Sequence, residues 1–221
     1  MIDEDATSDP FRFAKLILDL RQSGITDHAL LNIIESIPRE LFVPSNVADY
    51  AYDDVALPIA CGQTISRPTT AAGIVMAMEL GSKRDCTVLE IGTGSGYMTA
   101  LMAKLARRVY TVDRYRTLVE AARMRFEQLG LVNVISQCSD GKKGWPETAP
   151  FDRIVSTCAM EEPSDVWLNQ LKPKGILIMP IGTNEDQHVA RFTKHADGRV
   201  TSEPLAASKF LHLEEGVAKQ L

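Results

Sequence analysis

With 221 residues, 45% of them apolar and 24% charged, the chain can bury one substantial core and is too ordinary in composition for a disordered, collagenous or disulfide-scaffold protein. A net charge of −5 argues against the basic face that nucleic-acid partners require, and no apolar stretch approaches the length that spans a bilayer. Acidic residues occupy the N-terminus where a secretory signal would be basic. Cys61, Cys86, Cys138 and Cys158 show no Cys-x-x-Cys spacing, and the four histidines form no i, i+4 pair. Reduced, mostly buried thiols, no metal site and a cytoplasmic protein are expected.

In chain order, Ser8 and Asp9 precede Pro10, a helix start in which the missing proline N–H costs nothing. Phe13, Leu16, Ile17 and Leu20 recur at helical spacing until Ser23-Gly24 ends the run. Thr26-Asp27 opens a second helix carrying Leu30, Leu31, Ile33 and Ile34, which stops before Pro38. Residues 44–68, dense in turn formers, predict irregular chain, and a third helix is predicted over residues 69–80. From Asp85 the pattern changes. Short Val, Ile and Leu runs predict strands over 87–91, 109–113, 132–137, 152–158 and 176–181, with helices over 97–106, 117–129 and 165–171 between them.

Apolar strands alternating with helices imply an α/β fold, a Rossmann-like and mostly parallel sheet covered on both faces. Residues 189–193 and 208–213, separated by the Asp197-Gly198 turn, predict late antiparallel strands. A single domain is expected, divided into an N-terminal helical region (10–80), a core (81–182) and C-terminal strands (183–221). Basic groups at Lys104, Arg107 and Arg108, at Arg114 and Arg116, and at Arg123 and Arg125 read as solvated helix faces and strand ends.

The strongest local signal is Glu90-Ile91-Gly92-Thr93-Gly94-Ser95-Gly96-Tyr97, a strand running into alternate glycines before a helix. Glycine lets the backbone turn sharply and leaves room for a ligand at the helix N-terminus. A dinucleotide fingerprint would need glycine at position 97, where Tyr97 stands. The next strand ends in Asp113, placed to accept from both ribose hydroxyls of a nucleoside. Asp140-Gly141 closes the third strand.

Glu-x-Gly-x-Gly-x-Gly resembles motif I of class I S-adenosylmethionine-dependent methyltransferases. Within that class, the residues from Leu57 through Gly62-Gln63-Thr64-Ile65-Ser66 to Pro68 are similar to a block of the protein-L-isoaspartate O-methyltransferases that other methyltransferases lack. Asp140-Gly141 with Gly144-Trp145-Pro146, Pro173-Lys174-Gly175, Pro180-Ile181-Gly182 and Pro38-Arg39-Glu40-Leu41-Phe42-Val43-Pro44 extend the likeness over nearly the whole chain. The resemblance implies methyl transfer from S-adenosyl-L-methionine, leaving S-adenosyl-L-homocysteine, to the α-carboxylate of isoaspartyl residues in damaged proteins or peptides. The ester then closes to a succinimide.

The same resemblance implies Ser66 as the catalytic-site residue. It implies Gln63, Thr64, Ile65, Glu90, Gly92, Thr93, Gly94, Ser95, Gly96, Asp113, Arg114, Asp140 and Gly141 around the cofactor, Glu90 orienting the loop or the methionine end and Asp140 facing the adenine amino group. Thr157 and His212 fall on the acceptor side. Three departures from the family pattern stand out. Arg67 replaces a neutral residue beside Ser66 and is expected to pair with a substrate carboxylate. Residues 156–160 (Ser-Thr-Cys-Ala-Met) add bulk, and Leu211-His212-Leu213 replaces Val-Pro-Leu. The last two motivate an alternative, a cofactor-binding homologue with an altered acceptor or little turnover.

Overall fold

A computed structural model describes residues 10–81 and 84–219; the helix start predicted at Ser8 and Asp9 lies outside the described residues. Helix α1 (Pro10–Gln22) is followed by α2 (His28–Ser36), whose cap is Asp27, accepting from the backbone N–H groups of Ala29 and Leu30. Leu30, Leu31 and Ile34 form its buried stripe. A 3-10 turn at Arg39–Phe42 precedes the stretch predicted as irregular, which is itself organised by 3-10 turns at Ser45–Tyr50 and Ala60–Gly62. Within it β1 (Leu57–Pro58) pairs with β2 (Thr64–Ile65) antiparallel, Leu57 opposite Ile65. Helix α3 (Pro68–Ala77) begins directly after Arg67, with its proline in the first turn.

The core then alternates β3 (Thr87–Ile91), α4 (Tyr97–Leu105), β4 (Arg108–Asp113), α5 (Arg116–Gln128), β5 (Val134–Cys138), β6 (Phe151–Ser156), α6 (Asp165–Asn169), β7 (Leu171–Gly182), β8 (Gln187–Lys194) and β9 (Val200–Ala207). These strands form one sheet in the order β5-β4-β3-β6-β7-β8-β9, parallel through β7 and antiparallel from β7 to β9. The chain first winds from β3 outward to β5 and then returns to β6 on the other side of β3. That reversal opens a crevice beyond the carboxyl ends of β3 and β6, where α/β sheets bind ligands.

Successive residues of β3 serve opposite faces. Val88 joins the larger core with α1 to α4 and Phe126 of α5. Leu89 and Ile91 join a second core with Tyr110, Val112, Trp167, Leu177 and Met179.

Three expectations need correction. Residues 208–213 are not a strand; the partner of β8 is β9, whose residues are exposed and include Pro204 on the sheet edge, so no alternation marks it in sequence. The 208–213 segment instead bonds to a side chain and to one residue. Phe210 N–H donates to Gln187 Oε1 at 2.8 Å, and Ala159 exchanges bonds with the Leu211 carbonyl and the Leu213 N–H. The cysteines are half-buried rather than buried, and all four are free. Arg114 and Arg125 are not solvated: Arg114 pairs with Glu214, and Arg125 is turned inward onto the carbonyls of Leu41 and Ser95.

Candidate active site

A cavity of about 680 Å³ occupies the crevice beyond β3 and β6. One wall is the glycine crest. Gly92, directly after β3, has φ +93°, and a Cβ there would lie 2.2 Å from Thr157 Oγ1. The backbone therefore needs glycine both for its torsion and for its closeness to the end of β6. Gly96 has φ +89°, and its missing Cβ accommodates the ring of Phe126 at 2.8 Å, so this glycine serves helix packing rather than the cavity.

Asp113 ends β4 at the adjacent wall. Its Oδ2 accepts from Gly94 N–H at 2.8 Å and its Oδ1 from Tyr115 N–H at 3.0 Å. Each oxygen keeps a further lone pair for a ligand hydroxyl. Burial pushes this carboxyl above its ordinary value, and the backbone donors at Tyr115 and Gly94 pull it back. Gly141 closes the far side, its carbonyl held by the Trp167 indole N–H at 2.9 Å. Asp140 stands behind it and caps its own turn through Lys142 N–H at 3.0 Å.

The opposite wall comes from the loop before α3. Gln63, Thr64, Ser66 and Arg67 line the cavity together with Gly92, Gly94, Asp113, Arg114, Gly141, Thr157 and His212. Among the described residues the Ser66 hydroxyl has no hydrogen-bond partner, while Arg67 Nε donates to Thr70 Oγ1 at 3.0 Å at the exposed rim. Thr157 donates its hydroxyl to the Gly92 carbonyl at 2.8 Å and so buttresses the crest. His212 meets Gln187 Nε2 at 3.2 Å across the rim.

Several residues expected at the cofactor stand behind the wall instead. Ile65 is part of the core beneath the Ser66 loop, and Thr93 and Ser95 are buried. Glu90 is fully buried under the crest, where its Oε2 accepts from Thr99 and, at 2.6 Å, from Thr111; Thr93 bonds Thr111 in turn at 2.7 Å. Burial pushes its carboxyl up to about 8 against those two hydroxyl donors. Glu90 thus reaches the crest only indirectly, through Thr111 to Thr93.

The cavity also contains residues that sequence reasoning passed over: Asp54, Val55 and Ala56 from the turn before β1, Tyr115 just after β4, and Ser208, Lys209, Phe210 and Glu214 on the outer rim, where they flank the singled-out residues 211–213. The Cys158 thiol is pushed up to about 12, chiefly by desolvation and then by the Asp113 charge, and is not a nucleophile at neutral pH. Tyr115 was inferable as a residue just past a strand end beside the switch point; residues 54–56 carry no such signal.

The matched family model, Protein-L-isoaspartate(D-aspartate) O-methyltransferase, spans residues 12–218. A relative from Maricaulis maris named protein-L-isoaspartate O-methyltransferase is 46% identical over 210 residues, covering 95% of this chain and 97% of that protein. A solved structure of a protein of the same name matches with a TM-score of 0.81 at 31% identity, covering 93% of this chain and 67% of that one. A Plasmodium falciparum protein-L-isoaspartate O-methyltransferase, solved in complex with S-adenosyl-L-homocysteine, shares the fold with a TM-score of 0.79 at 22% identity, covering 90% of this chain and 97% of that one. The glycine crest, the Asp113 strand end and the Gln63–Ser66 loop thus stand in a chain that belongs to the protein-L-isoaspartate(D-aspartate) O-methyltransferase family.

Proposed function

We propose that this chain methylates the α-carboxylate of L-isoaspartyl residues in damaged proteins or peptides, with Ser66 as the residue that receives that carboxylate. The observation that carries the reading is the convergence of two independent sequence blocks, the crest at Gly92 and Gly94 and the loop at Gln63, Thr64 and Ser66, on a single cavity. A nucleoside donor fits the residues present: the crest leaves no side chain between backbone and ligand, and both Asp113 oxygens have capacity for ribose hydroxyls. When bound, S-adenosylmethionine supplies a methyl group on a sulfonium, an electrophile that passes the methyl to the carboxylate oxygen and departs as the neutral thioether of S-adenosylhomocysteine.

The chain's own task is then alignment. An isoaspartyl α-carboxylate, with an ordinary pKa of about 3.3–3.9, is already ionised at neutral pH and needs no general base. A single hydroxyl donor at Ser66 orients the anion without quenching it. Asp140 and Gly141 set the adenine end, and Glu90 fixes the crest from beneath. Arg67, at the rim beside Ser66, engages a substrate carboxylate or backbone carbonyl of the incoming peptide. Four free thiols support a reducing, cytoplasmic setting.

Methyl transfer from labelled S-adenosylmethionine to an isoaspartyl peptide, with the aspartyl isomer as control, tests the proposal at mildly acidic pH where the ester survives. Label on the isoaspartyl peptide alone is expected. Equal labelling of both isomers, or of neither, would overturn it.

A further inference from the structure

Two inward-facing arginines connect the crest to the Ser66 loop, and neither has a part in the site described above. Arg39, only 1% exposed, donates from Nε to the Ala51 carbonyl at 2.8 Å and from Nη2 to the Ser66 carbonyl at 2.6 Å. Its guanidinium lies 4.6 Å from the centre of the Tyr97 ring, the first residue of α4 after the crest. Arg125 donates from Nε to the Leu41 carbonyl at 2.7 Å and from Nη1 to the Ser95 carbonyl at 3.1 Å. Arg39 and Leu41 belong to one 3-10 turn. A continuous path therefore runs from Ser95 in the crest through Arg125, Leu41 and Arg39 to Ser66.

Neither guanidinium is paired with a carboxylate among the described residues, and Arg39 Nη1 is buried with no hydrogen-bond partner. Arg125 is half-buried, but Arg39 is a fully buried cation without a counter-ion, which is costly, and an apolar side chain would fill its space more cheaply. What an arginine adds is a rigid planar fork that fixes two acceptors at a set spacing. Here Arg39 ties the Ser66 carbonyl to that of Ala51, and Arg125 ties the crest carbonyl of Ser95 to that of Leu41, so the two forks in series link the elements behind the two walls. In-line transfer between a donor carbon and an acceptor oxygen is lost with small misplacement.

We propose that Arg39 and Arg125 are positioning residues, a brace that sets the separation between the cofactor crest and the Ser66 loop. The inference rests on the function proposed above and assigns the brace to the transfer step rather than to cofactor binding. The two arginines act through one turn, so their effects on turnover are not independent.

The experiment uses the full chain with Arg39→Lys, Arg125→Lys and the double variant. For each, S-adenosylhomocysteine affinity is measured by calorimetry, kcat and KM with an isoaspartyl peptide, and the melting transition by circular dichroism. Arg39→Ala is also assayed with millimolar methylguanidinium. Each single variant is expected to lose about tenfold or more in kcat, with ligand affinity held within about threefold, as for an interaction realised only in the transition state. The double variant should fall no more than about threefold below the worse single, and methylguanidinium should restore turnover of Arg39→Ala. A kcat within about twofold of wild type, losses that only track ligand affinity or folded fraction, or fully multiplicative losses would overturn the brace. If Arg39→Ala does not fold, the two lysine variants decide the matter alone. A wild-type chain that leaves the isoaspartyl peptide unlabelled overturns the function and this inference with it; an active wild type with undisturbed variants overturns the brace only.

Discussion

Thr157 and Gly92 are locked together at the point where the winding of the chain across the sheet reverses: the threonine hydroxyl donates to the glycine carbonyl at 2.8 Å, and a Cβ on Gly92 would fall 2.2 Å from that same hydroxyl oxygen. With φ at +93°, position 92 penalises a side chain twice, through its torsion and through its neighbour. Gly92→Ala is therefore expected to weaken S-adenosylhomocysteine binding by about 10–100-fold, the equivalent of roughly 1–3 kcal/mol of strain, without unfolding the protein. Adding Thr157→Ala should recover part of the loss, because the nearest remaining side-chain atom is Cys158 Sγ at 3.2 Å. Calorimetry on the two variants checks this. Unchanged affinity in Gly92→Ala would mean that the crest is not the cofactor wall.

Ser66 and Arg67 make separable contributions. A hydrogen bond to a charged group is worth about 1.5–3 kcal/mol, so Ser66→Ala should lower kcat/KM for an isoaspartyl peptide by roughly 10–150-fold. S-adenosylhomocysteine affinity should stay within about twofold if Ser66 faces the acceptor as proposed. Arg67 is exposed and tethered only to Thr70. Arg67→Gln should raise KM by about three- to tenfold and leave kcat nearly untouched, the mark of binding that is the same in ground and transition states. Steady-state kinetics with one peptide resolves both, and an Arg67→Gln enzyme with wild-type kcat and KM removes that residue from substrate binding.

The sheet was legible because its signals are local. Glu90 through Gly96 and the strand ending in Asp113 each declare their geometry within ten residues, and the structure places both at the switch point. What could not be read is what depends on distant partners. The edge strand β9 has no buried face and carries Pro204, so it lacks alternation, whereas residues 208–213 carry the apolar Phe210, Leu211 and Leu213 but take their bonds from Gln187 and Ala159. Arg125 looks in sequence like one more charge on a solvated helix face; only the approach of Leu41 and Ser95 reveals it as half-buried and bonded to the main chain. Likewise, Glu90 standing behind the crest follows from strand alternation, which turns it away from the Ile91 side toward Thr99 of α4.

Glu90 makes the fold pH-sensitive in a direction opposite to most carboxylates. Its carboxyl is pushed up to about 8 by burial, so across the range from its ordinary value of 4.5 to about 8 the unfolded chain loses a proton that the folded chain keeps. Stability from this group is present in full at acidic pH and declines as pH rises, by order of 1 kcal/mol per unit, until the folded carboxyl itself ionises. Glu90→Gln cannot ionise. The stability of Glu90→Gln minus that of wild type should therefore grow steadily from pH 5 to pH 8, whatever its starting offset. Urea unfolding at four pH values measures the difference, and a flat difference would show that Glu90 is ionised in the folded protein throughout.

The outer rim of the cavity is held by charge. Arg114, just beyond β4, pairs with Glu214, its carbonyl accepts from Ala218 N–H at 3.0 Å, and Lys142 Nζ meets Glu215 at 3.1 Å. These contacts draw the segment after β9 across the cavity mouth, where Leu213 and Glu214 form part of the wall. Glu214 and Glu215 are both largely exposed, so each pair contributes only about 0–1 kcal/mol and is screened by salt. Replacing both with glutamine should weaken S-adenosylhomocysteine binding by no more than about fivefold at low salt, and the difference from wild type should vanish near 1 M salt. A chain ending at Leu213 also loses the Ala218 bond and the wall contributed by Glu214, so its deficit should persist at high salt. Calorimetry on the two variants at both ionic strengths separates the contributions. If the glutamine variant keeps its deficit in high salt, the tail is held by packing rather than by its ion pairs.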